Sequence, residues 1–599
     1  MKRIYWLAIG LSLLSVATFL GFRMGELEMQ FRLWGWLPFW FHGALLLGVL
    51  SLVAWRNPAP KKVRRLGLAL LSGVLATAGF APAPFVPAMW LAWVPLLMIN
   101  REQRAEGKAG IGFGYLYAAF YAWNLGATWW VSNSALAAGF FAMLVNSWLM
   151  CLPWLLATRL GRRLPFWAEA SLIASAWMAF EWGHLRWDLT WPWLTLGNAF
   201  AHVPWMVQWY EWTGVPGGTA WIIALNFLFF VFWEKKGWKN PFLPEKKRSN
   251  ALLLAVLFVP ILISFGIGVY RADSTKTGVA KTVVAVQPNY EPHHEKFSVS
   301  ERAQFFRLTD LTLEALKEGP ADYVLFPETS FNEDLREENL RSNKEIRDLD
   351  SFAAERPGLK FVLGVSSARY FSPGETLSEY AVCNRRRTIC LEAHNSAIQL
   401  AIGQPEIPLY VKSKLVPGPE TFPFADLLKG IKPLVQLVDH LGGTVSGMGR
   451  QDQREIFVSP EGDFAVAPVI CYESVFGEYV TEYVRLGANA IFVLTNDGWW
   501  DNTPGHVQHL HFARLRAIET RRPVVRSANT GVSAHIDALG RIHTTKAYGQ
   551  TGFVRAEIRG GTVQTLYVRW GDWLSWLALL GLAVGSFAGA WKIVRKAGN

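Results

Sequence analysis

The chain is short of charge and of cysteine. Asp, Glu, Lys and Arg make up 18% of its 599 residues and hydrophobic types 51%, whereas an average soluble domain is about a quarter charged. That balance excludes a wholly soluble chain and a disordered one. Four cysteines make no disulfide framework. Cys151 lies in an apolar run and reads as packing. Cys383 and Cys390 flank Asn-Arg-Arg-Arg-Thr-Ile, which leaves a hairpin disulfide and two free thiols equally open. Cys471 has no evident partner. There is no glycine-rich phosphate loop and no dinucleotide fingerprint, so no cofactor is expected. One long region also lacks tryptophan: residues 271–569 hold two of the 30, residues 1–270 hold 24 and the last 30 residues four. Tryptophan gathers at membrane–water interfaces. The order therefore reads membrane, soluble part, membrane.

What is present in quantity is long apolar runs, at 4–21, 37–55, 66–82, 88–100, 111–131, 135–158, 166–183, 218–233, 251–270 and 573–591. A transmembrane helix needs about 20 such residues, and the runs predict ten spans. The first reads as an uncleaved span and not a signal peptide, because no small-x-small site follows it. The net charge of +12 is placed in clusters between runs: Lys61–Arg65, Arg101–Lys108, Arg159–Arg163, Lys235–Arg248 and Lys592–Lys596. With Lys2 and Arg3 inside, all fall on the cytoplasmic side, as the positive-inside rule requires. The basic excess thus argues for a lipid bilayer and against nucleic acid, and it puts 271–572 outside the cytoplasm. The expected organisation is two N-terminal transmembrane helices over 1–60, a transmembrane helical domain over 61–270, a catalytic domain over 271–570 and a C-terminal transmembrane helix over 571–599.

From 281 the pattern changes. Strand-like runs at 282–287, 322–326, 360–366, 396–402, 463–470, 489–494 and 523–527 alternate with amphipathic stretches at 300–318, 473–485 and 505–521. This predicts an α/β or layered α+β domain with helices over a central sheet. Three residues close strands there: Glu328 after Val-Leu-Phe-Pro, Lys412 after Ile-Pro-Leu-Tyr-Val, and Cys471 after Val-Ala-Pro-Val-Ile. A thiol attacks only as thiolate; a carboxylate can take its proton and an ammonium can stabilise a developing oxyanion. Each also has an ordinary reading: a packed core thiol, a helix-terminal charge, a solvated surface lysine. His506, His509 and His511 lack a third ligand, so they predict helix packing and no metal.

The surroundings of those residues resemble a known family. Phe-Pro-Glu-Thr (326–329), Tyr-Val-Lys-Ser-Lys-Leu-Val-Pro (410–417) and Val-Ile-Cys-Tyr-Glu (469–473) are similar to the Glu, Lys and Cys motifs of the nitrilase superfamily. Leu-Thr-Asn-Asp-Gly-Trp-Trp (494–500), residues 508–519 and 527–534, Trp-Pro-Trp-Leu-Thr-Leu-Gly-Asn-Ala-Phe (191–200) and Gln-Trp-Tyr-Glu-Trp-Thr-Gly (208–214) resemble its membrane-embedded branch, the apolipoprotein N-acyltransferases. The resemblance implies a multi-span α-helical membrane domain carrying an extracytoplasmic αββα nitrilase-like sandwich, in a bacterial inner membrane. It further implies transfer of an acyl chain from a phospholipid, through a thioester, to the α-amino group of a diacylated lipoprotein's N-terminal cysteine.

Carried over by motif, Cys471 is the nucleophile, Glu328 the base and Lys412 the oxyanion cation. Glu420 would orient Lys412 or share proton work, Glu473 would buttress the site, the Tyr472 N–H would donate to the oxyanion, and Asn395 would lie near the site. Aromatic segments 187–212 and 422–424 would line the lipid entrance. The chain departs from the family in having Gly-Pro-Glu where Phe-Gly-Glu usually follows Leu-Val-Pro, and Lys414 where His is frequent. It also carries two extra spans at its start. The rival readings are a membrane-tethered amidase or nitrilase using the same three residues, and a transporter or sensor with a binding module.

Overall fold

The structure is a computed structural model and describes residues 2–56, 59–80, 84–234, 246–273, 277–384, 386, 388–421, 423–424, 431 and 447–597. Lys235, Lys236, Lys239 and Phe422 from the sequence reading lie outside the described residues. Among those described, six helices are long and apolar enough to cross a membrane. These are α1 (Lys2–Met29), α2 (Leu37–Arg56), α6 (Leu136–Leu160), α8 (Val215–Glu234), α9 (Lys246–Ala272) and α14 (Trp573–Ala597).

The other four predicted spans form shorter or more polar elements. Helix α3 (Pro60–Thr77) opens on Lys61, Lys62, Arg64 and Arg65, α5 (Phe113–Thr128) has 16 residues, and α7 (Phe166–His184) carries Glu169 and Glu181. The run 88–100 is not one helix: a 3-10 turn (Val86–Trp90) breaks before α4 (Val94–Ala105), whose 12 residues reach only about 18 Å. Asn226 holds the break, donating to the Met89 carbonyl at 2.7 Å and accepting from the Trp93 N–H at 2.7 Å. Broken backbone at membrane depth needs such internal partners. Around it Trp93, Trp123, Trp154 and Trp177 are fully buried, with Trp93 edge-on to both Trp154 and Trp177. The missing apolar length is thus replaced by packing inside the bundle.

After α9 the chain builds two sheets. In the first, β1 (Ala280–Gln287), β2 (Tyr323–Arg336) and β3 (Lys360–Tyr370) run parallel; β13 (Gly552–Arg559) flanks β1 and β5 (Cys390–Ala401) flanks β3, both antiparallel. Short β4 (Val382–Cys383) and β6 (Leu409–Val411) pair with β5. The second runs, in order, β12 (Ile542–Lys546), β11 (Ser533–Ile536), β10 (Val524–Ala528), β9 (Ala490–Thr495), β8 (Ala465–Ile470) and β7 (Phe457–Val458), with β8, β9 and β10 parallel.

Side chains alternate across each strand. Val283, Ala285, Tyr323 and Leu325 therefore join Val466 and Phe492 between the sheets, where the Phe492 ring meets that of Tyr323. Val284, Val286, Val324 and Phe326 face outward onto Phe305 and Leu308 of α10 (Glu301–Lys317) and Leu349 of α11 (Lys344–Ala354). Helices α12 (Gly477–Arg485) and α13 (Pro504–Thr520) cover the second sheet. The result is an αββα sandwich where composition and periodicity alone suggested one central sheet. Cys383 and Cys390 face each other in the β4–β5 register and form a disulfide.

The sandwich is bonded to the membrane part. Gln508 of α13 donates to the Ala127 carbonyl at 2.8 Å, and Arg521 pairs with Glu211 at 2.6 Å. The loop after α1 also reaches it: the Gly35 N–H donates to Asp501 at 3.1 Å, and Phe31 lies edge-on to His294.

Candidate active site

Strand β8 is apolar and fully buried, and it ends in Cys471. The backbone turns there with φ +47°, a left-handed conformation that costs a non-glycine residue about 1–2 kcal/mol. Polar groups on every side hold the turn. The Cys471 carbonyl accepts from Ser474 Oγ at 2.7 Å and faces His509 Nε2 at 3.1 Å. His509 Nδ1 lies 2.9 Å from Asp497 Oδ1, which also accepts from Thr495 Oγ1 at 2.9 Å, while Arg526 pairs with the other oxygen of Asp497. Burial would raise the Asp497 carboxyl, but Arg526 and His509 hold it well below the usual carboxylate range.

Glu328 comes from an irregular stretch of β2. Phe326 pairs with Leu363 and Phe331 with Val365, so residues 327–330 bulge opposite Gly364. A side chain at 364 would not fit, since its Cβ would fall 2.6 Å from Glu328 Cα. Thr329 takes φ +48°. Lys296 braces the bulge from beneath, donating to the Glu328 carbonyl at 2.9 Å and to Thr329 Oγ1 at 2.7 Å.

Lys412 follows β6, which is locked to β5 and continues through the Lys412 N–H donating to the Asn395 carbonyl at 2.8 Å. Its ammonium lies 3.1 Å from Glu328 Oε1 and 2.7 Å from Glu420 Oε1. Asn395 Nδ2 donates to the same two oxygens, at 2.8 and 3.0 Å. The Gly-Pro-Glu departure leaves Glu420 at the site: Gly418 turns with φ +100°, and Glu420 Oε2 accepts from the Val416 N–H at 2.7 Å, closing its own loop. Glu473 joins the loops of Cys471 and Lys412. It accepts from Tyr410 at 2.6 Å, Tyr479 at 2.5 Å, the Ser413 N–H at 2.8 Å and the Ile470 N–H at 2.9 Å.

Lys412 is 1% exposed, Glu328 6% and Cys471 8%, so their charges act on one another with little screening. Burial would raise the Glu328 carboxyl; Lys412, Asn395 and Lys296 outweigh it and hold the carboxyl below the usual range. Burial would lower the Lys412 ammonium; Glu328, Glu420 and Cys471 hold it well above its ordinary value. Burial and the Glu328 charge push the Cys471 thiol far up, against Lys412. At rest the set is a thiol, a carboxylate and an ammonium. That distribution suits a nucleophile that loses its proton only as it attacks.

The structure brings together Glu328, Lys412, Asn395 and Glu420 by direct bonds, places Cys471 in their field, and ties Glu473 to the loops on both sides. The Tyr472 hydroxyl leaves the site to donate to the Thr190 carbonyl of the membrane part at 2.9 Å. Lys414 lies over the Phe476 ring, away from the carboxylates. Sequence reasoning missed Lys296, which no motif marks, and the Asp497–Arg526 pair. A signal for the latter existed: Arg526 is a charge in the apolar run Val-Val-Arg-Ser-Ala, and a buried charge demands a partner.

Residues 282–567, which include the αββα sandwich and its buried Glu328, Lys412 and Cys471, match the carbon-nitrogen hydrolase family. Residues 72–228 match the apolipoprotein N-acyltransferase N-terminal domain. With both in this order, the chain belongs to the apolipoprotein N-acyltransferase family. It is 28% identical over 505 residues to an apolipoprotein N-acyltransferase of Chlorobaculum tepidum, covering 82% of this chain and 90% of the relative. With that of Geobacter metallireducens it shares 27% over 531 residues, 86% of this chain and 94% of the relative. Among solved structures it is similar to a carbon-nitrogen hydrolase from Helicobacter pylori (TM-score 0.35, 13% identity, 49% of this chain and 95% of that one). An amidase from Nesterenkonia is comparable (TM-score 0.32, 14% identity, 48% and 94%).

Proposed function

We propose that this chain moves a fatty acyl group from a membrane phospholipid, through a thioester on Cys471, to the α-amino group of the N-terminal diacylglyceryl-cysteine of lipoproteins. What carries the reading is the water-poor Glu328–Lys412–Cys471 set on a sandwich bonded to membrane helices. Lysis of a small soluble amide would need no such helices. Both lipid substrates would be met at the bilayer surface, which spares each acyl chain an aqueous passage costing about 0.8 kcal/mol per CH₂.

In the first half-reaction Glu328 accepts the Cys471 proton as sulfur attacks the ester carbonyl. Lys412 and the Tyr472 N–H balance the charge that grows on the carbonyl oxygen. The C–O bond then breaks, the proton passes from Glu328 to the departing alkoxide, and a lysophospholipid leaves. In the second half-reaction the lipoprotein amine attacks the thioester, Glu328 takes its proton, and the thiolate leaves and is reprotonated. Glu420 and Asn395 keep Lys412 and Glu328 in register, and Glu473 keeps the two loops together. No step calls for a metal or an organic cofactor. The basic clusters favour an orientation in the bacterial inner membrane with the sandwich on the periplasmic face.

Intact-mass spectrometry after incubation with phospholipid vesicles tests the reading. The wild type is expected to gain a hydroxylamine-labile acyl mass that a diacylated lipopeptide discharges, and Cys471→Ala to gain none. An adduct persisting in Cys471→Ala would mean a different nucleophile. Amide hydrolysis without any adduct from phospholipid would mean a tethered amidase.

A further inference from the structure

A cavity of about 150 Å³ lies where the membrane helices meet the sandwich, beside the catalytic loops. Its wall includes Lys414, two residues after Lys412, and Val475 and Phe476, just beyond the Cys471 turn. Its membrane side is formed by the end of α7 at Trp182 and Arg186 and by Asp572 and Ser575 at the start of α14. Trp182 and Trp576 meet there with ring centres 5.0 Å apart. Tryptophans at helix ends mark the headgroup level of a bilayer, so the cavity opens where lipid phosphates lie.

The cations around it are paired with one exception, and Glu181 in its wall is satisfied by hydrogen bonds from Trp177, the Leu196 N–H and Thr219. Arg186 pairs with Glu478 and with Asp572 at 2.8 Å. Arg454 pairs with Glu482 at 3.1 Å and donates to Ser413 at 2.7 Å. Lys414 has no carboxylate partner among the described residues. Its ammonium lies 5.3 Å from the centre of the Phe476 ring. Arg454, Arg186 and Arg450 all act on it with like charge, and Glu482 opposes them. A half-buried ammonium in such company is costly unless an anion completes it, and its three N–H groups suit phosphate oxygens.

We propose that Lys414 and this cavity bind the phosphate group of the acyl-donor phospholipid, holding the headgroup beside the loops that carry Lys412 and Cys471. This rests on the acyl-transfer reading above and adds to it the part of the donor that is recognised. Lys414 touches neither the thiol nor the carbonyl under attack. It acts by positioning the donor, and therefore on KM for donors that carry phosphate.

The test compares two acyl donors, phospholipid vesicles and p-nitrophenyl palmitate, an ester with no phosphate, on full-length wild type, Lys414→Gln and Lys414→Arg. Lys414→Gln is expected to raise KM for phospholipid about tenfold, the worth of one charge-assisted hydrogen bond. Acylation by the nitrophenyl ester should be unchanged, which also reports an intact fold, and Lys414→Arg should restore most of the loss. Inorganic phosphate added against matched chloride separates two forms of the site. Inhibition of the wild type but not of Lys414→Gln supports a site open to free phosphate, and no inhibition of either beside the KM effect supports one that admits phosphate only on a lipid. An unchanged phospholipid KM in Lys414→Gln, or equal slowing with both donors, overturns the proposal and leaves acyl transfer standing. A wild type acylated by the nitrophenyl ester but by no phospholipid overturns the donor reading itself.

Discussion

At the residue scale the site is an exercise in keeping charges that burial disfavours. Glu328 stays ionised because Lys412, Asn395 and Lys296 together outweigh its desolvation. A carboxylate held down in this way is lost only as pH falls through its own depressed value. The acylation rate is therefore expected to stay level through pH 5 and below the ordinary glutamate range near about 4.3, read as kcat/KM against pH. Lys296 supplies part of that hold, and burial brings its own ammonium down to about 8. Lys296→Met should shift the acid limb upward and lower the rate by loosening the bulge at 327–330. An acid limb that does not move would mean that Lys296 only fills space. Lys412→Met should cost more, about 10²–10³ in rate, as removal of an oxyanion donor does. Glu328, Lys412 and Cys471 were legible because each closes an apolar run in a recognisable motif. Lys296 was not: it lies in a polar loop after His293, His294 and Glu295, and only the fold brings it under Glu328.

At the element scale, two backbone irregularities shape the proposed site: the left-handed turn at Cys471 and the bulge at Glu328. Gly364 permits the second, so Gly364→Ala is expected to fold but to displace Glu328. A displacement of about 1 Å costs roughly 10²-fold, seen as slow single-turnover acylation together with a lowered thermal unfolding temperature, since the added methyl group meets backbone atoms. The first depends on the Asp497–His509–Arg526 chain. Arg526→Met strands a buried carboxylate and should destabilise by about 3–5 kcal/mol; adding Asp497→Asn should recover much of that, measured by thermal unfolding in detergent.

The seven predicted strands each lie on an observed one, because each is a buried apolar run. Three of the strands left out are two or three residues long. Gly552–Arg559 alternates buried residues with part-exposed or exposed ones and pairs with the whole of β1. Local pattern carries that alternation but not the partner, which lies some 270 positions earlier. The same limit explains the run 88–100: hydropathy shows its apolar content, whereas the break before Val94 is set by Asn226 from another helix.

At the scale of the whole molecule, the membrane part and the sandwich are one packed body. The N-terminal pair α1–α2 takes part through Gly35 on Asp501, four residues from Asp497, and through Phe31 on His294, whose neighbour His293 lies edge-on to Trp499. Tyr472, adjacent to Cys471, is fastened to Thr190, and Arg521 to Glu211. Because of these bonds the thiol has no leash. Its height over the lipid is set by the helices, and the sheets contribute rigidity but not position. Agents that slacken the helical part should silence the protein while its sheets are still intact. On warming in a harsh detergent, thioester formation is expected to vanish several degrees before the β-sheet signal in circular dichroism, and in a bilayer the two should fall together.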